Sequence, residues 1–280
     1  KKENFSKEFF FNLEVGFSEE ISLFQLNEFP DPKKMFNKDY PFYTGSSEFM
    51  KNHFCDYSNW IKKNYLNSKS NIIEIGSNDG TMLQNFKNEG FDYIGFEPSM
   101  SVAKKAKENN INTLVEFFCY KNVSLLSKFK HNTDVICAAN VICHIPDITD
   151  VIKSVDLMLT LNGVFIFEVP NRNSLGFRWT QKKWFHLDTP RHLFHYNFCS
   201  MKRLLEKHGL QIIQCSGNAI EYWQDLPVSI CKRFLTKKPL NKIIVWGFGI
   251  PMGFLARLFS SLFLTQFAET NTYVVKHNPT

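Results

Sequence analysis

Residues 71–80 read NIIEIGSNDG, a mostly apolar run that ends in a glycine-rich turn. The run from Asn71 to Ile75 is typical of a buried strand, and the segment from Thr81 to Glu89 predicts a helix behind the turn. Such a turn lets a ligand approach the backbone closely and points amide N–H groups at it. Its pattern, E-x-G-x-x-x-G, differs from the G-x-G-x-x-G of dinucleotide-binding folds. The stretch therefore predicts an α/β fold with a ligand-binding turn.

Short apolar runs alternate with amphipathic stretches beyond this turn, which is the pattern of βα units. Six more strands are predicted, at 93–97, 112–115, 134–138, 164–169, 211–215 and 272–276, with a turn at 161–163. Helices are predicted at 46–65, 101–109, 149–159 and 200–208. The predicted fold is Rossmann-like α/β, with a mainly parallel seven-stranded sheet and helices on both faces.

Two further parts of the chain are predicted outside the sheet. Residues 1–66, with a Pro-Asp-Pro break at 30–32, are predicted to form an N-terminal cap, and 67–280 the main domain. Within that domain, about 222–268 reads as an apolar helical insertion. Its segment 246–267 carries one strong charge, Arg257, but three glycines and Pro251 interrupt the first half. We predict a helical cover over a pocket, with a membrane-surface or partner contact as the alternative to it.

Composition narrows the class of protein. With 44% hydrophobic and 21% charged residues, the 280-residue chain has the make-up of an ordinary folded domain. The net charge of +6 comes from scattered lysines without a dense basic block, so no nucleic-acid partner is predicted. Seven cysteines without a C-x-x-C pair indicate reduced thiols, which favours a cytoplasmic location. Nothing in the sequence sets the oligomeric state.

Polar residues follow two of the predicted strands. Glu97 ends the second strand, about 20 residues after the turn, where a carboxylate can accept hydrogen bonds from the ribose hydroxyls of a nucleoside ligand. Asn140 and His144 follow the strand at 134–138. Because ligands of open α/β sheets bind outside the carboxyl ends of the strands, these residues predict one nucleoside-binding crevice.

Several motifs carry a resemblance to a known family. They are the turn at 74–81, GFEPS at 95–99, the stretch at 112–118 and ANVICHIPD at 139–147, extended by YPFYTGSS at 40–47 and GVFIFEVP at 163–170. Together they resemble class I methyltransferases, most of all the C-methyltransferases that modify nucleotide-linked deoxysugars. The resemblance implies S-adenosyl-L-methionine as the cofactor and a sugar, glycan precursor or natural-product intermediate as the acceptor, methylated at oxygen or carbon.

The resemblance also implies a set of cofactor residues. Gly76, Asp79 and Gly80 would line the methionine end, Glu97 the ribose, Phe117 and Phe118 the adenine face, and Asn140 the region beside the sulfonium. The remaining predicted cofactor contacts are Glu74, Ser77, Asn78, Pro98 and Val141.

Proton removal from a hydroxyl or carbon acid suits histidine, whose ordinary pKa is ~6.5. His186 and His192 flank Asp188 and are preferred as the base, followed by His144. A structural role is the alternative for each histidine, and also for His195. Acceptor contacts are predicted at Tyr43, Trp184 and Arg191, the last of which suits a phosphate or carboxylate.

Two features depart from the sugar enzymes. Ser18 and Ile21 stand about where a cysteine pair of their zinc module would fall, so no metal site is predicted. Residues 184–196, WFHLDTPRHLFHY, replace the Tyr-His-Glu-His run of that family and look like a broader group of bacterial enzymes acting on glycans and natural products. A catalytically silent subunit that keeps the cofactor fold and a nicotinamide-dependent Rossmann enzyme are the competing interpretations.

Overall fold

The computed structural model describes residues 11–218 and 267–278. In that part of the chain the strands are β1 (Val15–Ser18), β2 (Leu23–Leu26), β3 (Asn71–Ile75), β4 (Asp92–Phe96), β5 (Thr113–Leu114), β6 (Thr133–Ala139), β7 (Leu159–Pro170), β8 (Phe194–His195), β9 (Leu210–Asn218) and β10 (Thr270–His277). The helices are α1 (Pro32–Met35), α2 (Glu48–Tyr65), α3 (Leu83–Lys87), α4 (Met100–Glu108), α5 (Tyr120–Val123), α6 (Ile148–Met158), α7 (Leu175–Thr180) and α8 (Phe198–Lys207).

Seven of these strands form one sheet in the order β5-β4-β3-β6-β7-β10-β9. The pairs among β5, β4, β3, β6 and β7 are parallel, whereas β10 runs antiparallel to both of its neighbours. All seven predicted strands are present, and the predicted Rossmann-like fold is confirmed. From β3 the chain builds outward to β5 and then returns to place β6 on the other side of β3. This switch point opens a crevice at the carboxyl ends of β3, β4 and β6.

Alternating side chains of the central strands build a core on each face of the sheet. Ile73, Ile136 and Phe165 point to one face, and Ile72 and Val135 point to the other. The first face is covered by α6 and α8, and the second by α2 and α3. Helices on both faces explain why strands β3 and β6 read as apolar runs rather than as alternating patterns.

The predicted turn at 161–163 is wrong. Helix α6 ends at Met158 and β7 begins at the next residue, so that 161–163 lie inside the strand. Thr133 of β6 pairs with Leu159, but Val135 pairs with Val164, and the intervening residues therefore bulge out of the ladder. The sequence was interpreted as a turn because Asn162 and Gly163 are residue types that occur in both bulges and turns.

A second, three-stranded sheet in the order β1-β2-β8 had no counterpart in the sequence analysis. Its third strand comes from 194–195, far along the chain, where Phe24 pairs with His195. The predicted division into 1–66 and 67–280 stays a prediction. The predicted insertion at about 222–268 lies almost wholly in 219–266, outside the described residues.

Candidate functional site

A cavity of about 750 Å³ lies at the switch point of the sheet. Fourteen of the residues predicted for the site line it: Glu74, Gly76, Ser77, Asn78, Glu97, Pro98, Phe117, Phe118, Asn140, Val141, His144, His186, Arg191 and His192. Glu74 lies in β3, and the others follow the carboxyl ends of β3, β4, β5 and β6 or belong to the chain between β7 and β8. Residues more than 100 positions apart in the sequence thus share one cavity wall.

The turn after β3 has a backbone that requires glycine at Gly76. Its φ is +66°, and a Cβ there would lie 2.5 Å from Cγ2 of Val141, which follows β6. Asn78 and Gly80 also have positive φ, at 50° and 81°. The turn thus has three residues with positive φ. Together with the close approach of Val141, this backbone conformation brings the turn against the end of β6.

Glu97 is fixed at the end of β4 by two backbone N–H groups. The N–H of Asn78 donates to Oε2 at 3.1 Å and that of Ser99 donates to Oε1 at 2.8 Å. Although these hydrogen bonds favour the carboxylate, burial raises the pKa of Glu97 to about 7. Each oxygen retains a lone pair for a ligand, so that the side chain is an oriented acceptor on the cavity wall.

Two further oxygens are buried without a partner at this end of the cavity. Oε2 of Glu74 and Oδ1 of Asn140 have no hydrogen bond within the described part of the chain. Asn140 has a φ of 55°, and its backbone N–H donates to the carbonyl of Glu168 in the neighbouring strand β7. Burial raises the pKa of Glu74 well above its ordinary value. Unpaired buried acceptors on a cavity wall are what a ligand with several donor groups would satisfy.

Phe117 and Phe118 follow β5 in the chain. Both line the cavity, and Phe118 packs edge-on against Phe96 of β4 with ring centroids 5.1 Å apart. An apolar aromatic wall in the same cavity as an oriented carboxylate suits a nucleoside, whose base is flat and whose sugar carries hydroxyl donors.

Asp79, Gly80 and Tyr43, three residues predicted for the site, do not line this cavity. They border a separate surface cavity of about 920 Å³. The carboxylate of Asp79 accepts from the N–H of Gly45 at 2.8 Å and from the hydroxyl of Thr81 at 2.6 Å. Its carboxylate therefore holds the N-terminal segment, and the cofactor contact expected for Asp79 stays a prediction.

Residues 36–46, which we call the strap, cross the cavity from the N-terminal side. The side chain of Asn78 accepts from the N–H of Thr44 at 2.9 Å and donates to the carbonyl of Phe42 at 3.1 Å. The hydroxyl of Ser99 donates to the carbonyl of Asn37 at 2.9 Å. The strap thereby places three aromatic residues on the cavity wall, namely Phe36, Tyr40 and Phe42. Sequence reasoning found the motif at 40–47 but not these contacts.

Three histidines are held by backbone carbonyls of one loop. Nδ1 of His144 lies 2.8 Å from the carbonyl oxygen of Arg191, and Nδ1 of His192 lies 2.6 Å from that of His186. Nε2 of His195 lies 2.9 Å from the carbonyl oxygen of Leu187. A carbonyl only accepts, so each of these nitrogens carries the hydrogen. His144 and His192 line the cavity, whereas His195 is buried outside it.

His144 and His192 are neutral at pH 7. Their ring centroids lie 4.7 Å apart, and burial lowers the pKa of both rings, that of His192 well below its ordinary value. Two rings this close also disfavour each other's protonation. With Nδ1 protonated in each, the lone pair of each ring is on Nε2, so both are poised to accept a hydrogen bond or a proton.

Cys143 lies beside these two rings. Its thiol and one nitrogen of each of His144 and His192 lie within 4.8 Å of one another, which makes this the group of described residues that could hold a metal ion. Tetrahedral zinc has Zn–N and Zn–S bonds of about 2.0 and 2.3 Å, so such a spread would have to contract around the ion. Burial raises the pKa of the Cys143 thiol, which opposes the thiolate that zinc requires. The predicted absence of a metal stays a prediction.

Trp184 and Arg191 were both predicted to contact the acceptor, but only Arg191 lines the cavity. Trp184 is 2% exposed, and its indole N–H donates to Oε2 of Glu269 at 2.6 Å, which makes it part of the core rather than of the cavity. Arg191 does line the cavity. It forms an ion pair with Asp188 at 2.7 Å, and its guanidinium lies 4.6 Å from the ring centroid of Phe42 in the strap.

The sheet order, the glycine turn and the carboxylate after β4 are those of the class I methyltransferase fold. Residues 49–215 match the family described as "Methyltransferase domain", and the chain belongs to that family. It is 25% identical over 142 residues to the C-methyltransferase NovU of Streptomyces niveus. That alignment covers 51% of this chain and 33% of NovU, so the chain matches about a third of the length of this curated relative.

Solved structures share the fold at low sequence identity. A SAM-dependent methyltransferase from Archaeoglobus fulgidus is similar with a TM-score of 0.52 and 14% identity, covering 82% of this chain and 94% of the other. Phosphoethanolamine N-methyltransferase 2 of Haemonchus contortus, in complex with phosphomonomethylethanolamine and S-adenosylhomocysteine, has a TM-score of 0.52 and 13% identity, with 80% and 53% covered. Among the described residues, no helix is long and apolar enough to cross a membrane.

Proposed function

We propose that this chain transfers a methyl group from S-adenosylmethionine to a hydroxyl or carbon of a small molecule, namely a sugar, a glycan precursor or a natural-product intermediate. The observation that carries the proposal is the single cavity in which an oriented carboxylate, Glu97, and two neutral histidines, His144 and His192, face the same space. One end has the groups for a nucleoside, and the other has the groups for proton removal. The "C-methyltransferase" in the name of NovU supports carbon as one acceptor atom.

The cofactor end comprises the cavity residues of 74–78, 97–98, 117–118 and 140–141. The buried oxygens of Glu74 and Asn140 fit the donor groups of the amino-acid part of the cofactor, because they have no partner within the described residues. Glu97 would accept from the ribose hydroxyls, and Phe117 and Phe118 would pack against the adenine. When bound, S-adenosylmethionine supplies a methyl carbon that is already activated by the sulfonium.

The acceptor end comprises the strap, His144 and the cavity residues of 185–192. His192 would take the proton of the acceptor on Nε2, because its Nδ1–H is fixed by the carbonyl of His186 and burial keeps the ring neutral. Arg191 stands at the same end with Asp188 and suits an anionic group of the acceptor. His186 also lines this wall and is the second candidate for the base. A cytoplasmic location remains part of the proposal.

Ligand titration of the chain tests the proposal. S-adenosylhomocysteine at ~100-fold excess over its dissociation constant should raise the free energy of unfolding by about 2.7 kcal/mol, and NADH should not change it. Glu97→Ala should abolish most of this stabilisation, while Glu206→Ala, on the exposed face of α8, should retain it. Stabilisation by NADH in place of S-adenosylhomocysteine would contradict the proposal.

A second measurement separates an enzyme from a silent subunit. The chain is incubated with S-adenosylmethionine and a panel of nucleotide sugars, glycan precursors and polyols, and products that are heavier by one methylene group are sought by mass spectrometry. Cofactor binding without a methylated product in any acceptor class would favour the silent binding subunit.

A further inference from the structure

The two cavity histidines, His144 and His192, share one tautomer. In both His144 and His192 the Nδ1–H is engaged by a backbone carbonyl, so that Nε2 holds the lone pair. His192 is buried, His144 is partly exposed, and their ring centroids lie 4.7 Å apart, so the two rings offer neighbouring hydrogen-bond acceptors. Such a pair complements a ligand with two neighbouring donors. We call His144 and His192 the histidine pair.

An aromatic wall stands next to the histidine pair. Phe36 packs edge-on against His144 with centroids 5.6 Å apart, Tyr40 lies 5.4 Å from Phe36, and Phe42 lies 5.4 Å from Tyr40. Burial raises the pKa of Tyr40 to about 12, so its phenol stays protonated and uncharged. Rings in a continuous row offer an apolar face to a ring-shaped ligand, whose edge then reaches the two imidazoles.

We propose that the acceptor is a ring compound with two adjacent hydroxyl groups, one hydrogen-bonded to His192 and the other to His144. This inference rests on the proposed function and names the acceptor class of the same site. It fits an aromatic diol and a sugar ring equally, since both have hydroxyls on neighbouring carbons.

The reaction at this diol is an oxygen methylation. The oxygen next to His192 bonds to the methyl carbon while the bond between that carbon and sulfur breaks, and the electron pair of the broken bond stays on sulfur. The proton of the same hydroxyl passes to Nε2 of His192. His144 accepts from the second hydroxyl, which stays intact and fixes the orientation of the ring, so that His144 is a positioning residue.

The test uses the full chain saturated with S-adenosylhomocysteine and four small probes. Catechol is compared with phenol, and trans-cyclohexane-1,2-diol with cyclohexanol. Dissociation constants and the ¹⁵N shifts of the histidine Nε2 atoms are measured by NMR. In at least one of the two comparisons we expect the diol to bind about 3- to 10-fold more tightly than the mono-alcohol, which corresponds to one additional hydrogen bond. The diol should move the Nε2 shifts of both members of the histidine pair. The comparison that shows the preference distinguishes an aromatic from an aliphatic source.

Two variants separate positioning from folding. His144→Leu should bring the affinity ratio of diol to mono-alcohol to about 1, because the acceptor for the second hydroxyl is gone. His144→Gln should restore most of the ratio, since its amide oxygen accepts a hydrogen bond in place of Nε2. Binding of S-adenosylhomocysteine checks that each variant is folded.

Three outcomes overturn the inference. They are equal affinity for diols and mono-alcohols in both comparisons, a diol preference that survives His144→Leu, and one equivalent of zinc bound to the purified chain through the histidine pair and Cys143. If S-adenosylhomocysteine binds but no diol preference is found, only this inference fails. If S-adenosylhomocysteine does not bind, the proposed function fails with it.

Discussion

The cofactor end of the cavity is built mainly from a short stretch of chain, whereas the acceptor end is assembled from three distant ones. Gly76, Asn78 and Glu97 lie within 22 residues of one another and meet because β3 and β4 are adjacent parallel strands. The acceptor end joins the strap, His144 and 185–192, which meet through long-range hydrogen bonds such as that between His144 and the carbonyl of Arg191. The difference separates a site set by local strand and turn geometry from one set by tertiary contacts.

The largest effect is expected from a substitution that changes only the acceptor end. His192→Gln should lower turnover by about 10²-fold or more, because an amide cannot take the proton of the acceptor. Binding of S-adenosylhomocysteine should be unchanged, since His192 is not among the residues of the cofactor end. The control is His208→Gln, at the end of α8, for which turnover should stay within about 2-fold of the parent. Turnover of His192→Gln close to that of the parent would move the role of base to His186.

The second prediction concerns a substitution that disturbs the backbone of the cofactor end. Gly76→Ala places a Cβ 2.5 Å from Val141 at a φ of +66°, while Gly90→Ala has a φ of +81° and no atom within 4 Å of the new Cβ. The left-handed backbone alone costs about 1–2 kcal/mol, which is the loss of unfolding free energy expected for Gly90→Ala. Gly76→Ala should lose about 1–3 kcal/mol more because of the clash.

The same pair of variants should differ in ligand binding. The new Cβ of Gly76→Ala should move the turn away from β6, so that the N–H groups of the turn no longer meet the ligand. We therefore expect Gly76→Ala to bind S-adenosylhomocysteine at least ~10-fold more weakly than the parent. Gly90→Ala lies outside the cavity and should bind as the parent does. Equal losses of stability in denaturant titrations of the two variants would show that the contact with Val141 is unimportant.

The smallest expected effect is a pH dependence that belongs to the cofactor end. The pKa of Glu97 is about 7 in the folded chain and its ordinary value is 4.5, so the folded state binds the proton more tightly. Its contribution to stability is therefore greatest below pH 4.5 and is lost as the pH rises through 7. The ionised form accepts more strongly from ribose hydroxyls, so the affinity for S-adenosylhomocysteine should rise by about 3- to 10-fold from pH 6 to pH 8.

Glu97→Gln should flatten both pH profiles, and calorimetric titration at each pH measures the affinity. The matched control is Glu206→Gln, an exposed glutamate of α8, which should keep the slope of the parent. An affinity that falls as the pH rises from 6 to 8 would contradict the assignment of Glu97 to the ribose.

For the cofactor end, the information in the sequence is local. A strand, a glycine turn and a carboxylate after the next strand place Gly76 and Glu97 on one edge of a parallel sheet once the fold is known. The sequence did not indicate that the carboxylate of Asp79 accepts from the N–H of Gly45, 34 residues earlier. No local pattern reveals which of several polar residues in a turn faces the ligand.

For the acceptor end, the sequence indicated candidate residues but not the contacts between them. His144 and His192 were named as candidates, but their pairing depends on carbonyls of the loop between β7 and β8, which no periodicity predicts. Trp184 was predicted to contact the acceptor, yet its indole N–H donates to Glu269, 85 residues later, in the core. The small sheet that joins β8 to β2 was missed for the same reason, since its strands are short and far apart in sequence.

Four hydrogen bonds tether the strap to the turn after β3 and to Ser99, and each uses a main-chain atom of the strap. Asn78, Asp79 and Ser99 contact the N–H groups of Thr44 and Gly45 and the carbonyls of Asn37 and Phe42. Substituting the aromatic residues that the strap presents would leave every one of these tethers in place. The side chains that meet the acceptor can therefore change in evolution while these hydrogen bonds stay constant. Relatives with the same cofactor site can then differ in the acceptor that they methylate.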